Sequence, residues 1–369
     1  MIRFADPLIY LLDALAYTGI FAISALALNL QYGFTGLANF GHVAFFMVGA
    51  YTTALATTSG LPFPLSAFLS IAVASFTGLI ASLPALKLRE DYLAIATIAF
   101  GEILRMIFKN EEWIAHGVWG IGVPPAIPLS GDTREFYWLQ LLLIFSVLFL
   151  CLLIIRIVSN SPYGRVLRAV RDDALAAEVY GKNVFGYKAQ IFALGSGLAG
   201  LSGALFAQYV QYVNPYMFEP TLTFSMWIMV ILGGVGNNVG VLFGALLVEF
   251  FERGARMAKD LRIMPMDPNN LRAIIIGVLI ILVLLYRPAG LLKEERVKTP
   301  ALKAFKRTGD EGGLLRSLRK PRRLRERIRM RLSKMKERKE EELKRKPSHP
   351  KGGVALDPGG EGRWLRKDF

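Results

Sequence analysis

Apolar stretches long enough to cross a bilayer recur through the first 290 residues and constrain this chain more than any motif. They run Leu8–Leu30, Gly36–Thr58, Leu65–Leu86, Tyr92–Phe108, Trp138–Val158, Tyr187–Gln211, Leu222–Phe250 and Leu271–Tyr286. A helix of about 20 apolar residues, rising 1.5 Å per residue, crosses about 30 Å of hydrocarbon. Runs such as LLLIFSVLFLCLLII do not alternate, so they cannot supply the strands of a membrane barrel. Leu8–Leu30 also carries signal-like features: Arg3 before it and Ala25-Leu26-Ala27 near its end. Its length and the charge at Asp13 favour a retained span over a cleaved leader.

Charge is confined to one end. Of 44 Lys and Arg residues, 26 lie in 293–369, against 12 of the 29 acidic ones, so the tail carries nearly all of the net +15. The body is near neutral, and the chain is 53% hydrophobic, which excludes an ordinary soluble enzyme. One cysteine, Cys151, rules out an intrachain disulfide and reads as a buried, inert thiol.

The basic residues also set orientation. The tail after Arg287 and the loop 159–188, with Arg165, Arg168, Arg171 and Lys182, belong on the cytoplasmic side. The loop 109–137, with Glu111, Glu112, Asp132 and Glu135, then faces outward, and the turn Lys87–Asp91 faces the cytoplasm. On this parity Leu222–Phe250 must cross twice or re-enter. Its middle, GGVGNNVG (Gly233–Gly240), supplies the break. The segment Glu252–Arg272 then lies outside, although it carries five basic and three acidic residues. The expectation is an all-α integral membrane protein, a bundle of about eight or nine transmembrane helices with a broken or re-entrant glycine-rich segment. The membrane-spanning body covers 1–292 and a basic tail, partly helical or disordered, covers 293–369.

Small residues at Gly195, Ala199 and Gly203, with Ser196, Gly200 and Ala204 beside them, allow close helix packing in lipid. The string GSGLAG within this span has no preceding strand and is not a dinucleotide site. Polar residues at membrane depth are Asn29, Asn39, His42, Glu102, Arg105, Gln190, Gln208 and Glu249. A charge at a helix centre costs roughly 2.5–3.5 kcal/mol on insertion scales. Glu102 with Arg105, and Glu249 with Arg253, have the spacing of helical ion pairs. A polar translocation path would draw on Asn39, His42, Glu102 and Gln208, with Gly233, Gly234, Gly236 and Asn237 at the break. The other reading of each is helix-to-helix bonding.

No phosphate-binding loop, HExxH or nucleophile elbow occurs, and the three histidines are far apart. No catalytic or metal-ligating set is expected, and this chain is not expected to bind a cofactor or hydrolyse ATP itself. A membrane protein of this kind is a channel, a permease or an anchor.

The loop SPYGRVLRAVRDDALAAEVYGKNVFGYK (Ser161–Lys188) reads as a short amphipathic helix. Arg165, Arg168, Asp172 and Asp173 offer a charged face; Val166, Leu167, Val170, Leu175 and Ala176 offer an apolar one; Gly181 ends it. Such a helix docks into a groove on a partner or is a solvated surface helix. The string resembles the coupling loop of ABC importer permeases of the branched-chain amino acid type, the LivM-like subunits. GLANFGHVAFFMVGAYTTAL (Gly36–Leu55), LPALKLREDYLAIATIAFGEI (Leu83–Ile103), MVILGGVGNNVGVLFGALLV (Met229–Val248) and YRPAGLL (Tyr286–Leu292) resemble further stretches of that family in the same order. Two features depart from it: the outward AHGVWGIGVPP (Ala115–Pro125) and the long basic tail.

The resemblance implies a coupling loop contacting an ATPase through Gly164, Arg165, Arg168, Arg171, Asp172, Ala177, Glu178 and Gly181. It implies a second, LivH-like permease, two ABC ATPase subunits that use the ATP, and an extracytoplasmic substrate-binding protein. The location is a bacterial or archaeal cytoplasmic membrane. Branched-chain amino acids are the expected substrate, with urea, short amides or other amino acids as the alternative. A stand-alone secondary carrier and a membrane anchor also remain open. The tail (Leu314–Lys346 above all) is expected in the cytoplasm against anionic lipid, with no nucleic acid bound.

Overall fold

The computed structural model describes residues 7–86, 88, 90–126, 133–260, 277, 278, 281, 285 and 290–294. The chain divides into two compact units, Met1–Glu295 and Arg296–Phe369. The second unit and most of the expected span Leu271–Tyr286 lie outside the described residues, as does the expectation for the tail.

The first unit is an all-helical bundle with one minimal sheet. Its helices are α1 (Pro7–Thr35), α2 (His42–Thr58), α3 (Phe63–Ala85), α4 (Glu90–Asn110), α5 (Glu112–Ala115) and α6 (Thr133–Asn160). They continue with α7 (Pro162–Asp172), α8 (Ala174–Val179), α9 (Val184–Val210), α10 (Pro220–Gly233) and α11 (Asn238–Asp260). Strands β1 (Ile121–Gly122) and β2 (Tyr212–Val213) pair antiparallel, Ile121 opposite Val213. Among the described residues, five helical segments are long and apolar enough to cross a membrane: Leu8–Thr35, Phe63–Ala85, Arg134–Asn160, Val184–Val210 and Pro215–Gly233.

Burial sorts these helices into axis and wall. The most apolar windows of α1 and α9 are 78% buried, whereas those of α3 and α6 are 28% and 22% buried. Helices apolar all round and wrapped by others form the centre, while α3 and α6 keep apolar faces such as Phe68, Phe76, Leu142 and Phe149 outward, as lipid-facing walls do.

The small residues of α9 make the tight centre. A Cβ at Gly203 would lie 1.9 Å from the Phe46 carbonyl oxygen of α2, and one at Gly200 2.4 Å from Ala74 Cβ of α3. Gly49 of α2 meets the Gly200 carbonyl just as closely. Glycine is required at these contacts because backbone lies against backbone, the lipid-phase packing that small residues permit. Hydroxyls satisfy carbonyls across the seams: Ser70 donates to Gly49 O at 3.0 Å and Ser202 to Ile20 O at 2.6 Å. Phe21, Phe46, Phe206 and Phe218 close one half of the bundle, with ring centroids 5.3–6.2 Å apart.

Two expected features take a different form. The second apolar stretch is helical only from His42, because Gly36 adopts φ 72° and the chain to Gly41 turns back into the bundle without helix. The ion pair of Arg253 runs to Asp13 of α1, which also accepts from the Tyr209 hydroxyl, so the charge on α11 is met across helices. Glu102 and Arg105 pair as their spacing predicts, at 2.6 Å.

Candidate coupling site and translocation path

The chain between α6 and α9 folds into an elbow of two helices. Ser161 caps α7 by accepting from the Gly164 amide, and Pro162 occupies its first turn. Gly164 presses on the backbone of Ser159, where a Cβ would lie 2.2 Å from its carbonyl oxygen. The single helix expected over this loop is divided because Asp173 is extended and its side chain accepts from the Ala176 amide, capping α8 anew. Gly181, at φ 75°, ends α8 as a left-handed cap.

The faces of the elbow follow the sequence expectation for Arg165, Asp172 and Asp173, which are exposed, and for Leu167 and Val170, which are buried, but not for Arg168 and Leu175. Leu167, Val170 and Ala177 are buried, but so in large part are two of the arginines. The Arg168 side chain is 15% exposed, with its guanidinium 5.2 Å from the Phe34 ring centroid. Arg171 donates to the Gly33 carbonyl at the end of α1 at 2.5 Å, to Glu294 at 3.1 Å and to Asp172. Burial lowers the pKa of Arg168. Burial is the largest influence on Arg171 and acts the same way, but the Glu294 and Asp172 carboxylates together outweigh it and the pKa rises. Outward, with Arg165, Asp172, Glu178 and Gly181, stand Leu175, Val179 and Tyr180, at 76%, 85% and 84% exposure. Leu175, expected on the inward apolar face, is therefore part of the exposed surface. Apolar side chains this exposed at one end of a bundle, ringed by charge, mark a contact surface.

The expected path residues fall in four places. Asn39 and His42 are fully buried in the non-helical segment Gly36–Gly41 and the start of α2. Asn39 donates to Gln31 at 2.9 Å, and Gln31 donates to the Phe192 carbonyl of α9 at 2.9 Å. Trp227 Nε1 donates to the Asn39 carbonyl at 3.2 Å while its ring stacks on Phe40 at 4.6 Å. The amides of Phe40 and Val43 donate to the hydroxyls of Thr97 and Thr223, and His42 Nε2 lies 3.0 Å from the Ser24 carbonyl. Irregular backbone inside a membrane bundle is tolerable when protein groups satisfy it in this way.

Gly233, Gly234, Gly236 and Asn237 form the second break, at the elbow end. Gly234 and Gly236 adopt φ 116° and 80°, conformations that glycine alone enters freely. The Gly236 amide donates to Asn29 of α1 at 2.9 Å, and Asn237 accepts from the Gly240 amide to start α11. Beyond the break α10 and α11 run back to back, a Cβ at Gly244 lying 2.0 Å from the Met229 carbonyl oxygen.

Gln208 lies at the opposite end, buried, and accepts from the Ala126 amide at 2.7 Å, which with the β1–β2 pair ties the loop 109–137 to α9. Glu102 stands apart on α4 with Arg105. The structure therefore brings Asn39 and His42 together and groups the glycines with the elbow, but does not join Glu102 or Gln208 to either. At the sheet end a cleft of about 490 Å³ opens between the end of α2 and this loop, lined among others by Leu55, Thr58, Trp113, His116 and Ile121. Sequence reasoning missed Gln31, Trp227 and Glu294. Gln31 was legible as an amide in an apolar run; Glu294 gave no signal, being one acid at the head of a charged tail.

The family described as branched-chain amino acid transport system / permease component matches residues 10–284. The probable branched-chain amino acid transport permease protein LivM of Methanocaldococcus jannaschii is 29% identical over 78% of this chain and 95% of its own length. The high-affinity branched-chain amino acid transport system permease protein LivM of Salmonella typhimurium is 31% identical, covering 77% of this chain and 70% of itself. The corresponding LivH permease of Escherichia coli K12 is 24% identical over 75% and 92%. No solved structure matches. An apolar helical bundle, an exposed elbow at one end and this match along three quarters of its length place the chain in the branched-chain amino acid transport permease family.

Proposed function

We propose that this chain is one of two permease subunits of an ATP-binding-cassette importer and carries branched-chain amino acids across the cytoplasmic membrane. A LivH-like permease completes the path, an extracytoplasmic binding protein delivers solute to the sheet end, and two ATPase subunits dock at the elbow. The observation that carries this reading is the exposed Leu175–Val179–Tyr180 surface on a helix pair tied directly into α1 and the α10–α11 break. ATP binds to the partner subunits; this chain contributes the contact that receives their movement.

In this reading the elbow is cytoplasmic, and so is the tail, which lies against anionic lipid and binds no nucleic acid. α10 runs from the sheet end to the glycine break at the elbow end, and α11, with 23 residues, returns along α1. The pair crosses twice, one of the two arrangements that the parity of the sequence allows. With the expected span at 271–286 the bundle has eight or nine crossings. Solute passes beside Asn39, His42 and the glycine break, where α10 rocks against α1. A stand-alone carrier is disfavoured because Glu102 and Asp13 are already held by arginines.

Purification of the tagged chain from its native membrane tests the assembly. A second permease and two ATPases are expected with it. Replacing Leu175, Val179 and Tyr180 together by Ser should release the ATPases while the permease pair stays intact. Retention of the ATPases by this variant would remove the elbow from the interface. Uptake of leucine, isoleucine, valine and urea by the reconstituted complex then assigns the substrate class.

A further inference from the structure

The residues just before the basic tail form a strap joining the elbow to the glycine break. The last carbonyls of an α-helix have no partner within it. At the end of α10 those of Leu232 and Gly233 accept from the amides of Leu291 and Leu292, at 2.8 and 3.1 Å. Asn237 donates to the Lys293 carbonyl at 2.9 Å, and Gly290 packs so closely on Gly234 that a Cβ would lie 2.4 Å from its Cα. The next residue is Glu294. Its carboxylate lies against Gly236, pairs with Arg171 at 3.0 Å and lies 3.5 Å from Arg168.

We propose that Glu294 is a positioning residue: it latches the coupling elbow to the α10–α11 break and so delivers ATPase-driven movement to the transport path. The proposal rests on the elbow being the ATPase contact. Arg171 grips the end of α1 through Gly33 and the strap through Glu294 with one guanidinium, and Lys293 alone separates Glu294 from Leu292, the nearer of the two amides that hold α10. A displacement of α7 therefore reaches α10 through one ion pair and a short bonded segment. Arg168 supplies the second position of the latch. Its Nε and Nη1 are buried without hydrogen bonds, and Glu294 is the carboxylate beside them. Movement of the elbow along the strap exchanges Arg171 for Arg168 as the bonded partner, giving two discrete arrangements and not a continuous slide.

The test uses the full importer in proteoliposomes, with Glu294→Gln and Glu294→Asp in this chain. Glu294→Gln should keep both ATPases bound and hydrolysing ATP, while leucine uptake per ATP falls about tenfold, within the range of ordinary coupling between sites. Glu294→Asp, which keeps the charge, should restore most of the uptake. Wild-type uptake per ATP in Glu294→Gln would overturn the proposal, as would parallel loss of assembly and uptake with no recovery in the Asp variant. Failure of the wild-type chain to hold ATPases would sink the elbow reading instead. The latch is then decided on this chain alone in nanodiscs by hydrogen exchange. Faster exchange at the Leu291 and Leu292 amides in Glu294→Gln supports it, and unchanged exchange overturns it.

Discussion

Two interruptions of helix in the described bundle are held in different ways. At Gly36–Gly41 the backbone is enclosed by neutral groups: Gln31, Thr97, Thr223 and Trp227 converge from three helices, and Asn39 and His42 have no exposed surface. At Gly234–Asn237 neutral bonds to Asn29 and the Lys293 carbonyl are joined by an ion pair at the edge, with Arg171 and Glu294 side chains 22% and 29% exposed. The first break is bonded by neutral groups, with His42 Nδ1 left without a hydrogen bond. The second has spare donors beside it and a link to the surface. A neutral break bonded from several helices fixes the frame, and one tied to a part-exposed ion pair is the place where a frame can move.

Breaking the first should be the more damaging. A Cβ at Gly41 would lie 2.0 Å from the Thr97 carbonyl oxygen and 2.7 Å from its carbonyl carbon. Gly41→Ala is expected to destabilise the bundle by about 3 kcal/mol, the upper end for overpacking. Thermal unfolding of the purified chain checks this, and a melting temperature within a degree of wild type would contradict it. Gln31→Leu strips the partner from Asn39 and from the Phe192 carbonyl and should cost about 1–3 kcal/mol, read from the same melts.

At the second break stability and function should separate. Arg171→Gln removes a partly exposed ion pair, so the expected stability loss is only about 1 kcal/mol. Transport by the assembled importer should nevertheless fall severalfold. Equal transport by this variant and wild type would place the break outside the moving parts. The smallest effect is ionic: raising salt to about 1 M shortens screening to about 3 Å. Hydrogen exchange should then rise modestly at 234–237 and stay unchanged at 36–41.

How far each break was legible follows from what hydropathy measures. The walls and the axis were readable, because α3, α6 and α9 are continuous apolar runs and the structure ends them within a few residues of where the runs end. The second break was also readable, because glycines interrupt a run whose parity already required a turn. The first was not. GLANFG is nearly as apolar as a span, and hydropathy scores side chains, whereas the chain departs from helix through the backbone at Gly36. On the elbow Arg165, Asp172 and Asp173 meet water as their pattern suggests, and Arg168 does not. A pattern on a short helix identifies two faces, and water was assumed to take the charged one. Glu294, more than a hundred residues from its partners, gave Arg168 and Arg171 a reason to face inward.

The central position of α1 has a consequence for biosynthesis. It is made before the other described helices, yet three of its polar side chains bond to segments far along the chain. Gln31 bonds to Phe192, Asn29 to Asn238 and Asp13 to Arg253, separations of 161, 209 and 240 residues. At about 5–20 residues per second of synthesis, the earliest of these partners follows its mate by roughly 8 to 30 s. Through that interval Asp13 and Asn29 of α1 lack these partners, while Gln31 can already bond to Asn39. The emergence of α11 is the moment at which Asp13 and Asn29 gain Arg253 and Asn238, which gives quality control a natural checkpoint there.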